Sequence, residues 1–195
     1  GPTLSMPAVI PLAGVTSITI NTKGGNDKVN FGSFTFNTLP SFSVNGGVGD
    51  DKVTFFNSIT FQANANLDVD LQNDDAPVGL DTVEINANAN ILLSGTGTAV
   101  LKASRFVKVG SAASLVQVNG VLTVGANQQV PAATGSFTGV TVDRGKLEAS
   151  GTGNVIVKGK GGTGTFVHGV ILDGTNAKIA SGTGNVSVTG NGVGS

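Results

Sequence analysis

The segment Gly46-Gly47-Val48-Gly49-Asp50-Asp51-Lys52-Val53-Thr54 is where residue types and spacing most clearly suggest chemistry. It fits the pattern Gly-Gly-x-Gly-x-Asp-x-apolar-x at every defined position, a turn that offers backbone carbonyls beside a carboxylate. Hard oxygens of this kind are what calcium takes. The candidate ligands are Asp50 and Asp51, with the turn at Gly46 and Gly49 supplying carbonyls. A shortened copy, Gly24-Gly25-Asn26-Asp27-Lys28-Val29, lies 24 residues earlier and adds Asp27 to the set. Stacked copies would bring Asp27 and Asp51 within about 5 Å of each other, and two carboxylates so close need neutralising. Calcium would do this, and so would Lys28 and Lys52. An Asp in a turn also serves as an acceptor for nearby backbone N–H groups, in which case no cofactor is needed.

The remaining candidates are weaker. Asp68, Asp70, Asp74, Asp75 and Asp81 form a second acidic group around Pro77, with Asp68 and Asp70 on one strand face. Paired carboxylates can hydrolyse glycosidic bonds, but a saccharide groove also wants aromatic platforms, and the chain has no Tyr and no Trp. His168 is the single histidine and there is no Cys, which excludes a multi-histidine site within the chain, a thiolate zinc site and a cysteine nucleophile. The glycine runs at 159–164 and 182–184 lack the Gly-Lys-Ser/Thr frame of a phosphate loop and read as turns. Thr16, Thr19, Thr22, Thr35 and Thr60 do not form the regular array of an ice-binding face; only Thr35 and Thr60 would stack. No dense Lys/Arg stripe points to nucleic acid, and no apolar run is long enough to span a membrane. The chain reads as a non-enzyme.

The elements that must position these residues are short strands. Val, Ile, Leu and Phe alternate with Thr, Ser and Asn, a composition suited to half-buried pleated surfaces. Charged residues are 12%, and the 30 Gly fall between the alternating stretches, where corners need them. The charge is divided, −6 over residues 1–90 and +5 over 91–195.

Internal repeats select the architecture. Asn21, Gly25, Asp27, Lys28, Val29 and Phe31 recur as Asn45, Gly49, Asp51, Lys52, Val53 and Phe55 at an offset of 24. Ser33-Phe34-Thr35-Phe36 recurs as Ser58-Ile59-Thr60-Phe61 at 25, and Leu80-Asp81-Thr82-Val83 is a third copy. In the second half, 139–143 recurs at 169–173 (offset 30) and 150–157 at 181–188 (offset 31). A β-sandwich also has many short strands but does not require like residues to recur at such intervals. The expectation is an all-β, right-handed parallel β-helix (a β-solenoid) of about 24–31 residues per coil, its hand following the usual preference of parallel crossovers. Phe31 should lie over Phe55, Phe36 over Phe61 and Val53 over Val83.

The division expected along the chain is a tag-removal remnant at 1–2, Asn/Asp-Gly coils at 3–98, irregular middle coils at 99–138, and Gly-rich coils at 139–195 that stop in mid-repeat. In the middle part, Val107/Val109, Val116/Val118 and Val121/Val124 read as strands, and Gln128–Ala133 as a loop off the rod.

The pattern Gly-Val-x-Leu/Val-Asp with Ser-Gly-Thr-Gly-Asn-Val-x-Val-x-Gly over 139–190 resembles repeats of large bacterial surface exoproteins. These are the filamentous-haemagglutinin-like and autotransporter-like β-helix adhesins, of the planctomycete and cyanobacterial type. The resemblance implies export to the cell surface or medium and a role in adhesion or surface coating. The segment at 46–54 resembles the nonapeptides of repeats-in-toxin proteins, though there they follow one another directly. The expected partners are a second copy meeting end to end, or a cell-surface or glycan ligand. The alternative function is a calcium-stabilised β-helix that binds or cleaves polysaccharide.

Overall fold

In the computed structural model, residues 13–32, 38–72, 79–117 and 119–192 are described. Within them the chain is an all-β parallel solenoid of three sheets. The first sheet holds β1 (Ser17–Asn21), β3 (Ser41–Asn45), β6 (Leu67–Leu71), β9 (Ala99–Ala103), β12 (Leu122–Ala126), β15 (Val155–Lys160) and β18 (Val186–Asn191). The second holds β2 (Lys28–Phe31), β4 (Lys52–Phe55), β7 (Thr82–Ile85), β10 (Phe106–Val109), β13 (Val140–Asp143) and β16 (Val170–Asp173). The third holds β5 (Ile59–Thr60), β8 (Asn90–Leu93), β11 (Ser114–Gln117), β14 (Lys146–Ala149) and β17 (Lys178–Ser181). Coils two to six visit the three sheets in turn, and among the described strands neighbouring coils pair in parallel.

The pleat explains why these sequences stack. Every second residue of a strand points inward, so Val44, Val69, Leu101, Val124 and Val157 form one buried column across successive coils. Phe31 lies flat on Phe55, ring centroids 4.5 Å apart and 14° from parallel, and meets Phe42 edge-on at 4.9 Å. Each of these residues buries apolar area that one coil alone could not cover, which is why repeats stabilise one another. The column on the corner side of the first sheet shrinks along the rod, from Leu71 through Ala103 and Ala126 to Gly159 and Gly190.

The predicted registers Phe31/Phe55, Val53/Val83, 139–143/169–173 and Val155/Val186 are present. Phe36 lies outside the described residues, and the place opposite Phe61 belongs to Leu39. Coil lengths exceed the expected range at both limits, from 23 residues (Ala99 to Leu122) to 33 (Leu122 to Val155). The offset in the last two coils runs 30, then 32 at Leu147/Ile179, then 31, so the corner after β16 gains two residues and the next loses one.

β9, β10, β11 and β12 are paired on both sides, and the departure from regularity is confined to residues 127–139. Val107 and Val109 lie on β10 as expected and are buried, whereas β12 begins at Leu122, so it holds Val124 but not Val121, with Leu122 and Val124 inward. Val118 lies outside the described residues.

Candidate functional site

The predicted ligands Asp27, Asp50 and Asp51, together with Asp81 and His168, lie at one corner, where the chain passes from the first sheet to the second. In coils one, two and four this corner is short, residues 22–27, 46–51 and 104–105; in coil three it spans 72–81, of which 73–78 lie outside the described residues. Two rows of side chains there continue the hydrogen bonding that the strands leave off. In the inner row Asp51 Oδ1 accepts the N–H of Asp27 (2.8 Å), Asp81 Oδ1 accepts that of Asp51 (2.6 Å), and Ser104 Oγ accepts that of Asp81 (2.8 Å). In the outer row the direction reverses: Asn26 Oδ1 accepts from Asp50 N–H (2.9 Å) and Asp50 Oδ1 from Leu80 N–H (2.8 Å). Asp51, Asp81 and Ser104 are buried. Ser104 Oγ also lies 2.7 Å from Asp81 Oδ2 and 2.6 Å from the Gly79 carbonyl.

The glycines of the motif are needed by the approach of one coil to the next. Val48 N–H donates to Lys23 O (2.7 Å) and Gly25 N–H to Val48 O (2.8 Å). Gly47, at φ +89°, sits so near Lys23 that a Cβ would fall 1.7 Å from its carbonyl oxygen. Gly46 leaves room for Asp51, whose Oδ2 a Cβ would meet at 2.8 Å.

The predicted ligands Asp27, Gly46, Gly49, Asp50 and Asp51 are thus brought together, but as links in a protein ladder. One oxygen of Asp51, one of Asp50, and the Lys23 and Val48 carbonyls each accept a backbone N–H. Among the described residues no group of three or more His, Cys, Asp or Glu is placed to hold a metal ion. Lys52 Nζ pairs with Glu84 at 2.8 Å, and Asp51 Oδ1 accepts a backbone N–H.

The second acidic group divides. Asp81 belongs to the ladder, while Asp74 and Asp75 lie outside the described residues. Asp68 and Asp70 do share the outer face of β6. Asp70 Oδ2 pairs with Lys102 Nζ at 2.8 Å. Partial burial, then repulsion from Asp70, pushes the Asp68 carboxyl above its ordinary value, with Lys102 acting weakly the other way. Asp68 borders a shallow depression of about 230 Å³ lined by Ser17, Thr19, Ser41, Ser43, Asn66 and Thr98.

In coils five and six the same corner is built outward. Residues 127–139 join β12 to β13, and 161–169 join β15 to β16. The two loops are tied side by side: Gly135 O accepts Thr163 N–H (2.8 Å), and Phe137 O accepts Gly162 N–H (3.0 Å). Their root is Asn127, which is fully buried. Its Oδ1 accepts Ala133 N–H (2.6 Å) and its Nδ2 donates to the carbonyls of Ala133 (3.2 Å) and Gly161 (3.3 Å). The Arg105 guanidinium lies 5.6 Å from the ring centroids of both Phe106 and Phe137. At the outer surface the loops expose Val130 (96%) and Phe166 (75%).

His168 is exposed in the second loop and serves the fold through its carbonyl, which accepts Gly139 N–H. The glycine runs are turns against neighbouring coils: a Cβ on Gly162 would fall 1.9 Å from Gly135 O, and one on Gly184 2.3 Å from Gly153 O. The buried Asn127 and the fourth rung, Ser104, are not signalled by the repeats. Ser104 lies 23 residues after Asp81, while the strand beyond it pairs at 24, so the slip hides it from an alignment.

Comparison of the chain with protein-family models, with curated proteins and with solved structures gives no match.

Proposed function

We propose that this chain is a structural, adhesive segment of a secreted or cell-surface repetitive bacterial exoprotein, a rigid spacer with contact surfaces and no catalysis of its own. The observation that supports it most is the stack of three parallel sheets, of seven, six and five strands among the described residues, with polar side chains on most outward positions. Such a stack is stiff because each coil is bonded to two neighbours. At its far end β16, β17 and β18 have no described strand beyond them, and Leu172, Val186 and Val188 are nearly half exposed. Strand edges of this kind template further pairing, so the rod associates end to end. Sedimentation velocity and small-angle scattering should give an elongated particle that lengthens with concentration. A Val188→Lys variant should stay elongated but stop lengthening. A compact particle at every concentration would overturn the reading.

A second reading, a carbohydrate-binding β-helix, is favoured by the hydroxyl-lined depression at Asp68. A glycan array probed with the chain and with Asp68→Ala tests it, and an array without signal removes it.

A further inference from the structure

We propose that the paired loops of coils five and six dock the rod onto an anionic lipid surface. Three observations meet there. First, the loops present apolar side chains to water: Val130, followed by Pro131, is almost wholly exposed, and Phe166 is three-quarters exposed. A soluble rod with no use for a bare phenyl ring would place a polar residue at such a point.

Second, Phe166 has φ +55°. The left-handed region disfavours a bulky residue and accepts Asn or Gly. Elsewhere among the described residues that conformation is taken by Asn64, Asn88, Asn127 and Asn176 and by Lys23, Ala112 and Arg144, none of them aromatic. A phenylalanine there opposes both backbone preference and solvation, which points to a contact made outside the chain.

Third, the surroundings are cationic. No Asp or Glu occurs from Ala149 to Leu172, where Lys158 and Lys160 fall, whereas in the earlier stretch Lys102 is paired with Asp70 and Lys108 faces Asp143. Lys158 and Lys160 are exposed on the strand that enters the second loop. The loop closes on that strand, because Gly159 and Gly161 lie against the carbonyls of Gly169 and His168.

Apolar tips that project, flanked by lysines, suit a soft anionic interface into which a ring can insert while ammonium groups meet headgroups. A saccharide would want a concavity here, and the two depressions beside Asn90 and Glu148 and beside Ser17 and Thr98 lie elsewhere on the rod. The contact is with the surface of a bilayer: no helix among the described residues is long and apolar enough to cross one.

The test is co-sedimentation with vesicles of phosphatidylglycerol and phosphatidylcholine, against pure phosphatidylcholine. Binding is expected with the anionic vesicles only, weakening as salt is raised. Phe166→Asn should lower binding about tenfold or more while leaving the melting temperature equal or higher, since Asn suits the backbone. Lys158→Glu with Lys160→Glu should abolish it. Absence of binding, or binding indifferent to both changes, overturns the proposal. So does a Phe166-dependent dimer in the absence of lipid, which would make a second copy the occupant. The proposal rests on reading the chain as a surface-contact rod, yet the two fail separately. Elongated particles that ignore vesicles would remove only this inference, and compact particles that bind them would remove only the other.

Discussion

The same corner of the rod is built in two ways, and the difference lies in what replaces the β-ladder between sheets. In coils one to four, Asp, Asn and Ser side chains at the corner accept backbone N–H groups of the neighbouring coil, and the corner is short in coils one, two and four. In coils five and six residues 127–139 and 161–169 intervene before the next strand. One buried Asn at the root there does what a row of carboxylates does earlier. The flush corner commits its polar groups to folding. The projecting corner needs few of its residues for stability, which leaves the outer ones open to contact.

This contrast should show most strongly in the buried acceptors. Asp81→Ala orphans the Asp51 N–H and leaves Ser104 without its carboxylate, so we expect about 4 kcal/mol of destabilisation. Asn127→Ala should cost about 2 kcal/mol. Urea unfolding of both variants checks the order. If the loop variant proves the more damaging, the loops are part of the folding core and the contrast fails.

Glycines give a sharper version, because two of them share a backbone conformation and differ in surroundings. Gly47 (φ +89°) would place a Cβ 1.7 Å from Lys23 O, whereas Gly135 (φ +112°) would meet nothing within 4 Å. Gly47→Ala must push two coils apart, an effect of about 3 kcal/mol. Gly135→Ala bears only the conformational penalty, about 1 kcal/mol. Melting temperatures should separate the two by several degrees, and equal shifts would mean that the flush corner yields more readily than its contacts suggest.

These two constructions were unequally legible in the sequence. Where coils stack like on like, repetition is visible and the register follows from it, as at Phe31/Phe55 and Val53/Val83. Asp81 was recoverable too, since Leu80-Asp81-Thr82-Val83 copies the earlier turn. Its role was less so, because an Asp in that pattern suits calcium and backbone N–H groups equally. Leu39 opposite Phe61 was obscured by the better side-chain match at Phe36, which shows that apolar identity is a weaker guide than strand pairing. Loops 127–139 and 161–169 face solvent rather than an identical neighbour, so stacking imposes no repeating signature on them. Only the loop character of Gln128–Ala133 came through, from its Pro and its break in alternation.

A smaller effect belongs to the outer face of the flush half. The Asp68 carboxyl is pushed up by burial and by Asp70. A carboxyl whose folded value exceeds its unfolded one favours the folded state when protonated, and that advantage disappears as pH rises through the folded value. At neutral pH the charged Asp68 therefore opposes folding slightly. Asp68→Asn should raise the melting temperature by about a degree at pH 7, with no difference near pH 2. A lower melting temperature at pH 7 would assign Asp68 a favourable partner instead.

The smallest expected effect carries the most information about the flush corner, namely the response to calcium. If the Asp27, Asp50 and Asp51 turns are held by backbone N–H donors alone, millimolar calcium and excess chelator should give the same melting temperature. If calcium bound the folded state only, stability would rise with the logarithm of its concentration over the dissociation constant, about 2.7 kcal/mol at a hundredfold excess. For a chain of this size that is a shift of several degrees, well above the noise of the measurement. A shift that Asp51→Asn removes would make the N–H ladder the metal-free form of a calcium site. The two halves of the corner would then differ in regulation as well as in shape, one ordered by an ion and the other by Asn127. No shift would mean that the Gly-Gly-x-Gly-x-Asp pattern answers to coil stacking, in which glycine admits the neighbouring carbonyl and aspartate accepts the neighbouring N–H.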